Sequence, residues 1–147
     1  MSLKVYVAGR ISRQAEVQTI CAVLKDAGLS ITRDWTWTNT IKNEQEAASF
    51  RKQAYSELNP KYHEEADSDL NAVLEADIFV ILTDEQGSSM YVEMGAAFAG
   101  QKLTNKPQRL YAIGPHFDRM VFYQHHNIHR VDTIQEVIDD LKRNNLI

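Results

Sequence analysis

The chain predicts a doubly wound α/β sheet, on three observations. Short apolar, β-branched runs alternate with longer amphipathic stretches along the whole sequence. The most apolar of them, Ile78-Phe79-Val80-Ile81-Leu82, is unbroken, as in a strand buried on both faces. Two runs end in small-residue turns, at Gly9-Arg10 and at Gly87-Ser88-Ser89, that lead into helical patterns. The expected architecture is a flavodoxin-like, five-stranded parallel sheet of order 2-1-3-4-5 flanked by helices, with residues 1–147 as a single domain.

Each element has its own signal. Leu3 to Ala8 reads as the first strand, and Ser12 as a candidate N-cap for a helix over Arg13 to Ala27, closed by Gly28. Leu29 to Asp34 reads as the second strand, and Trp35 to Thr40 as a loop with two large aromatics. The polar stretch from Lys42 is interrupted by Asn59-Pro60, which predicts one helix to Leu58 and another from Pro60 to Ala76. Asp77 to Leu82 is the third strand, Met90 to Gln101 the helix after it, Leu110 to Ile113 the fourth strand and Ile128 to Val131 the fifth. The closing helix, Ile134 to Asn144, puts Ile134, Val137, Ile138 and Leu141 on one face.

Composition narrows the function. The 147 residues suffice for a proper core, 44% of them being apolar. Sixteen Lys and Arg against 20 Asp and Glu give a net charge of −4 without a dense basic stripe, which argues against nucleic-acid binding and for a small polar ligand. The lone Cys21 shares an apolar helix face with Val17, Ile20 and Leu24 and reads as a core thiol. No run of 18 apolar residues and no signal-type N-terminus is present, so neither a membrane association nor export is expected and the chain reads as cytoplasmic.

In open parallel sheets, ligands bind outside the carboxyl ends of the strands where the strand order reverses. Here that places Gly9-Arg10 and the segment Asp84 to Glu93 on either side of one crevice. Glu93 stands out among Val92, Met94, Gly95, Ala96 and Ala97, where a carboxylate is out of character. Three pieces converge: Tyr6-Val7-Ala8-Gly9, Asp69-Leu70-Asn71-Ala72 with Asp77 beyond it, and Tyr91-Val92-Glu93-Met94-Gly95-Ala96-Ala97. In this order and spacing, over the first two thirds of the chain, they resemble the nucleoside 2-deoxyribosyltransferase family and its relatives, the deoxyribonucleoside monophosphate N-glycosidases.

The resemblance implies that Glu93 is a nucleophile forming a covalent glycosyl ester, that Asp69 handles the proton of the departing base, and that Tyr6 orients the glutamate. It also implies sites completed by a neighbouring chain, hence a homodimer or a dimer of dimers, with Trp35 to Trp37 and Met120 to Tyr123 as candidate interface. No cofactor and no metal are expected. The chemistry of these residue types agrees: breaking an N-glycosidic bond builds positive charge on the sugar and negative charge on the base, which calls for a carboxylate below the ring and a proton source above it.

The chain also departs from the family. Gly87 stands where the transferases often carry a second aspartate, while Ser88, Ser89, the amides opening the next helix and Arg10 offer a place for a 5′-phosphate. Gly9, Arg10, Trp35, Gly87, Ser88, Ser89 and Met90 are accordingly the candidate substrate-binding residues. Plainer readings stand beside these. Glu93 as an acid favoured by a helix dipole, Asp69 as part of a solvated acidic face turned by Leu70, Val73 and Leu74, Asp77 as a local cap, Tyr6 as strand packing and the serines as helix caps are all open. His125, His126 and His129 lack metal-site spacing and read as a loop over the ligand or toward a neighbouring subunit. The function expected is cleavage, by transfer or hydrolysis, of the N-glycosidic bond of a 2′-deoxynucleoside or its 5′-monophosphate; a non-catalytic nucleotide sensor and an NAD-type glycohydrolase are the alternatives.

Overall fold

The computed structural model describes residues 2–53 and 60–147. Its centre is two apolar strands, β1 (Lys4–Ala8) and β3 (Ile78–Leu82), paired in parallel with Tyr6 opposite Phe79 and Val7 opposite Val80. Outside them lie β2 (Ser30–Ile31) beside β1, and β4 (Arg109–Ile113) then β5 (Ile128–Val131) beyond β3. All four pairings are parallel and the order is 2-1-3-4-5, as the alternation of runs predicts. Every residue of β3 is buried, consistent with its lack of polar positions.

Helix α1 (Gln14–Asp26) packs on β1 and β2 and meets α6 (Ile134–Arg143). The pair α4 (Pro60–Glu75) and α5 (Ser89–Thr104) packs together and against β1. Between β2 and α4 run the short helices α2 (Trp35–Thr38) and α3 (Glu44–Lys52). Helix α6 starts with a capping box in which Thr133 and Glu136 satisfy each other's backbone amides. No helix among the described residues is long and apolar enough to cross a membrane.

Several boundaries differ from expectation for identifiable reasons. A 3-10 turn over Ile11–Arg13 precedes α1, and neither Arg10 nor Arg13 makes a side-chain cap bond, so Ser12 is not the N-cap. Strand β2 keeps only Ser30 and Ile31 of the expected six residues, because Leu29 is still tied to Leu24 behind Gly28 (φ +95°) and Asp34 turns the chain away. The Asp34 carboxylate accepts from the Thr36 amide at 3.1 Å, which makes Trp35–Thr38 a helical turn where a loop was expected. Helix α3 begins at Glu44, capped by Asn43, and ends at Lys52; the rest of its expected span, 54–58, lies outside the described residues. Asp77 is structural but not a local cap: its carboxylate accepts from the Lys4 amide, 73 residues away, at 2.8 Å and pairs with Lys106 at 3.3 Å. Cys21 is buried, and that burial pushes its thiol up to about 12, as befits a core residue.

Gly9 is where the fold closes tightly under the crevice. A Cβ there would come within 2.7 Å of Val17 Cγ2 on α1, and a β-branched side chain in a helix has little rotamer freedom with which to yield. Gly9→Ala is expected to lower unfolding free energy by roughly 1–3 kcal/mol through overpacking. Urea unfolding measures it, and an unchanged midpoint would show that α1 is not seated on this turn.

Candidate functional site

At the carboxyl ends of β1 and β3 lies a cavity of about 490 Å³, within the range of small-molecule sites. Its floor is Gly9, Trp35 and Glu93; one wall is Asp69 and Glu65 of α4 with Asn39; another is Gln86 to Met90 at the start of α5. Helix α3 covers it with Ala47 and Phe50, and Ile41 adds to that apolar side. Trp35 is buried and its Nε1 donates to the Val7 carbonyl at 2.8 Å, so its ring is fixed, whereas Trp37 is 70% exposed.

Glu93 is the fifth residue of α5, beyond the first turn, where a helix dipole has little hold on a side chain. The dipole reading therefore does not account for it. Loss of solvent and the nearby Asp69 anion push its carboxyl up to about 8, and the Tyr6 phenol beside it opposes that rise. Tyr6 itself is wholly buried, stacked 6.2 Å from Phe79, and burial together with the Glu93 charge raises the phenol. The Tyr6 hydroxyl makes no hydrogen bond of full geometry with any described group, which leaves it free to follow the carboxylate.

Asp69 reaches the cavity by a different stripe than expected. Of the expected Leu70, Val73 and Leu74, only Val73 is buried, Leu70 and Leu74 being 36% and 48% exposed; Ala72 joins Val73, three and four residues after Asp69 on its own helix face. Its carboxylate is engaged on both oxygens: Arg33 Nε donates to Oδ1 at 2.8 Å and Asn39 Nδ2 to Oδ2 at 3.3 Å. Burial raises Asp69 above the usual carboxylate range, while the bonds from Arg33 and Asn39 pull it back. On the same helix Glu65 accepts from the Thr40 backbone and hydroxyl, tying the 39–43 loop to the wall.

The opposite side is built on Asp84, buried at the end of β3. Its Oδ1 accepts from the Gln86 amide at 2.9 Å, which folds the Glu85–Gly87 turn, and Gly87 takes φ +109° there. Asp84 also lies 3.5 Å from Arg13 and 4.0 Å from Arg10. Arg10 in turn pairs with Glu44 of α3 at 3.3 Å. Ser88 occupies the N-cap position of α5 without a side-chain cap bond, so capping does not explain its hydroxyl.

The structure thus brings Glu93, Asp69, Gly9, Arg10, Trp35, Gly87, Ser88, Ser89 and Met90 around one cavity, with the Tyr6 phenol beside Glu93. It does not bring the histidine segment there. His125 and His126 stack at 4.5 Å, His125 lies against Phe98, and no described residue of 114–127 lines the cavity. The expected loop over the ligand is instead packed, through buried Tyr123, against Tyr91 and Phe117. Among the described residues no group of three or more His, Cys, Asp or Glu side chains gathers to hold a metal. Sequence reasoning misses Arg33, Asn39, Glu65 and Glu44, and places Asp84 at the crevice without giving it a role. Arg33 was open to notice, since it follows β2 at the sheet edge that carries ligands.

No protein-family model matches the chain, and no curated protein matches it significantly in sequence. Among solved structures, the CMP N-glycosidase BcmB of Clostridium botulinum is similar with a TM-score of 0.54 and 16% identity, over 95% of this chain and 98% of its own. That likeness is one of fold. An NAD(P)H:quinone oxidoreductase from Methanothermobacter marburgensis aligns over the full length of both chains at 12% identity, with a TM-score of 0.33.

The raised Glu93 carboxyl has a consequence for stability. Its folded value of about 8 exceeds the ordinary 4.5, so the folded state binds the extra proton between those pH values. The stability this gives is fully present below about pH 4.5 and is lost as pH rises through about 8. Glu93→Gln, which cannot ionise, is expected to melt close to wild type in acid and progressively higher above it, with an upper bound of about 5 kcal/mol at about 1.4 kcal/mol per unit. Thermal unfolding across this pH range tests it; parallel curves would mean that Glu93 is not desolvated.

Proposed function

We propose that the protein cleaves an N-glycosidic bond of a nucleoside or nucleoside 5′-monophosphate, by transfer or hydrolysis, through a glycosyl ester on Glu93. The observation that carries this is the placement of Glu93: a desolvated carboxylate lining a cavity of ligand size, beside the Tyr6 phenol and within electrostatic reach of Asp69, which lines the same cavity. The fold shared with a CMP N-glycosidase supports it. In the proposed step a Glu93 oxygen attacks the anomeric carbon, the bond to the base breaks, and its electron pair leaves with the base, which takes up a proton from Asp69. Water or a second base then attacks the same carbon, gives up its proton to Asp69, and frees the Glu93 carboxylate. A homodimer or dimer of dimers is part of the proposal; Trp37, Val121 and Phe122, 70%, 75% and 58% exposed, offer apolar contact area for it, whereas Trp35 and Tyr123 are buried within the chain.

Mass spectrometry after incubation with 2′-deoxynucleosides, their monophosphates, CMP and NAD tests the reaction. Wild type is expected to release free base and carry a sugar adduct on Glu93, and Glu93→Ala to fold normally and do neither. Since the nucleophile must be ionised, kcat/KM is expected to rise with pH toward a limb near 8. Base release by Glu93→Ala at near-wild-type rate overturns the proposal. Adduct from NAD alone moves it to an NAD-type glycohydrolase, and ligand binding with no cleavage moves it to a nucleotide sensor.

The Ser88 and Ser89 hydroxyls, the open α5 amides and Arg10 favour a 5′-monophosphate over the free nucleoside. Calorimetric titration with a deoxynucleoside and its monophosphate is expected to show tighter binding of the latter, and Ser88→Ala with Ser89→Ala to remove that preference. Equal affinity for the two ligands would return the reading to a nucleoside transferase.

A further inference from the structure

Asp69 lines the cavity, but the group that holds it does not. Arg33 stands behind the wall, just past β2, with its side chain only 21% exposed. Its Nε donates to Asp69 Oδ1 at 2.8 Å, its Nη2 donates to Asn39 Oδ1 at 3.1 Å, and the Asn39 amide closes the triangle on Asp69 Oδ2 at 3.3 Å. A planar fork fixed at two points leaves the carboxylate one orientation, with its remaining lone pairs toward the cavity. The surrounding groups make the cation necessary. Glu65 on α4, Glu93 on α5 and Tyr6 on β1 all face Asp69, and Arg33 is the cation paired with it.

We propose that Arg33, acting with Asn39, is a positioning residue: it fixes the Asp69 carboxylate against the part of the cavity where the departing base lies. What Asp69 does for that base rests on the glycosidase reading above, so the test has one arm that needs turnover and one that does not. A displaced Asp69 affects substrates according to how much help the leaving group needs. A group misplaced by about 1 Å can cost on the order of 100-fold.

In the arm without turnover, the side-chain carboxyl carbon of Asp69 is followed by NMR through a pH titration of the free protein. Arg33→Met is expected to raise the Asp69 midpoint, because removing a paired cation disfavours the anion, and Arg33→Lys to restore it. In the second arm, Arg33→Met and Asn39→Ala are expected to lose roughly 10- to 100-fold in kcat on monophosphates with poor leaving bases and under about threefold on activated ones. Arg33→Lys, lacking the fork, is expected to recover only part of the loss. Combining Arg33→Met with Asp69→Asn is expected to be no worse than Asp69→Asn alone, since the two act through one group. An unmoved midpoint, equal losses on all leaving groups or additive losses in the double variant would overturn the proposal. Absence of base release by wild type would instead overturn the glycosidase reading, and the titration would still decide whether Arg33 holds Asp69.

Discussion

The desolvated carboxylates of Glu93 and Asp69 on one cavity, with Arg33 behind Asp69, are the constraint around which this structure is arranged. The Asp69 anion makes Glu93 harder to ionise, Glu65 does the same to Asp69, and the walls that exclude water make both harder still. Arg33 relieves one of the two, because it bonds Asp69 directly. The result is asymmetry: two like groups in one site acquire different proton affinities, Glu93 the strongly raised one. On the proposed chemistry that asymmetry separates a nucleophile from a group that deals with the base, by the same environmental logic that splits carboxylate roles in glycosidases. The open Tyr6 hydroxyl complements it, since a phenol can stabilise the ionised glutamate without neutralising it.

The sheet provides the rigidity this requires. Tyr6 is locked by the β1–β3 ladder and its stack on Phe79, while Glu93 and Asp69 come from the two helices that pack on each other over that face. Across the cavity Asp84 plays the corresponding part for the loop that opens α5, accepting from the Gln86 amide and drawing Arg13 and Arg10 toward it. Arg10, the guanidinium drawn toward Asp84, also pairs with Glu44 of α3. An anionic end of a ligand is better placed beside Arg10 than beside the Glu93 carboxylate.

How much of this was legible in the sequence follows from which interactions are local. The strand order follows from the alternation of apolar runs, and Glu93 was conspicuous because its neighbours are small and apolar. Cap and turn choices were less visible: Asp34 outcompetes the strand continuation after Ile31, and a 3-10 turn displaces the expected Ser12 cap, both through short-range bonds that periodicity does not report. The stripe that aims Asp69 is legible only at Val73: Leu70 and Leu74 look like core residues by type but are partly exposed, and the smaller Ala72 is buried in their stead. Arg33 and Asn39 were invisible as partners of Asp69 because they are 36 and 30 residues away in sequence, brought in only by the β2 crossover.

The cavity's two-sided character bears on what it can hold. Trp35, Ile41, Ala47, Phe50 and Met90 give it apolar surface, while Asp69, Asn39, Glu65 and Glu93 place acceptors and one amide on another side. A wholly apolar ligand would leave those carboxylates desolvated without a partner, which is costly, and a purely charged one would forgo the aromatic and aliphatic contacts. A flat heteroaromatic ring with polar edges, joined to a hydroxylated group that can rest on Glu93, satisfies both sides at once. Asp69 is bonded on both oxygens by donors, so the arrangement Arg33 maintains holds it in one orientation toward such a ring, and bases that need a proton in order to leave gain most from it.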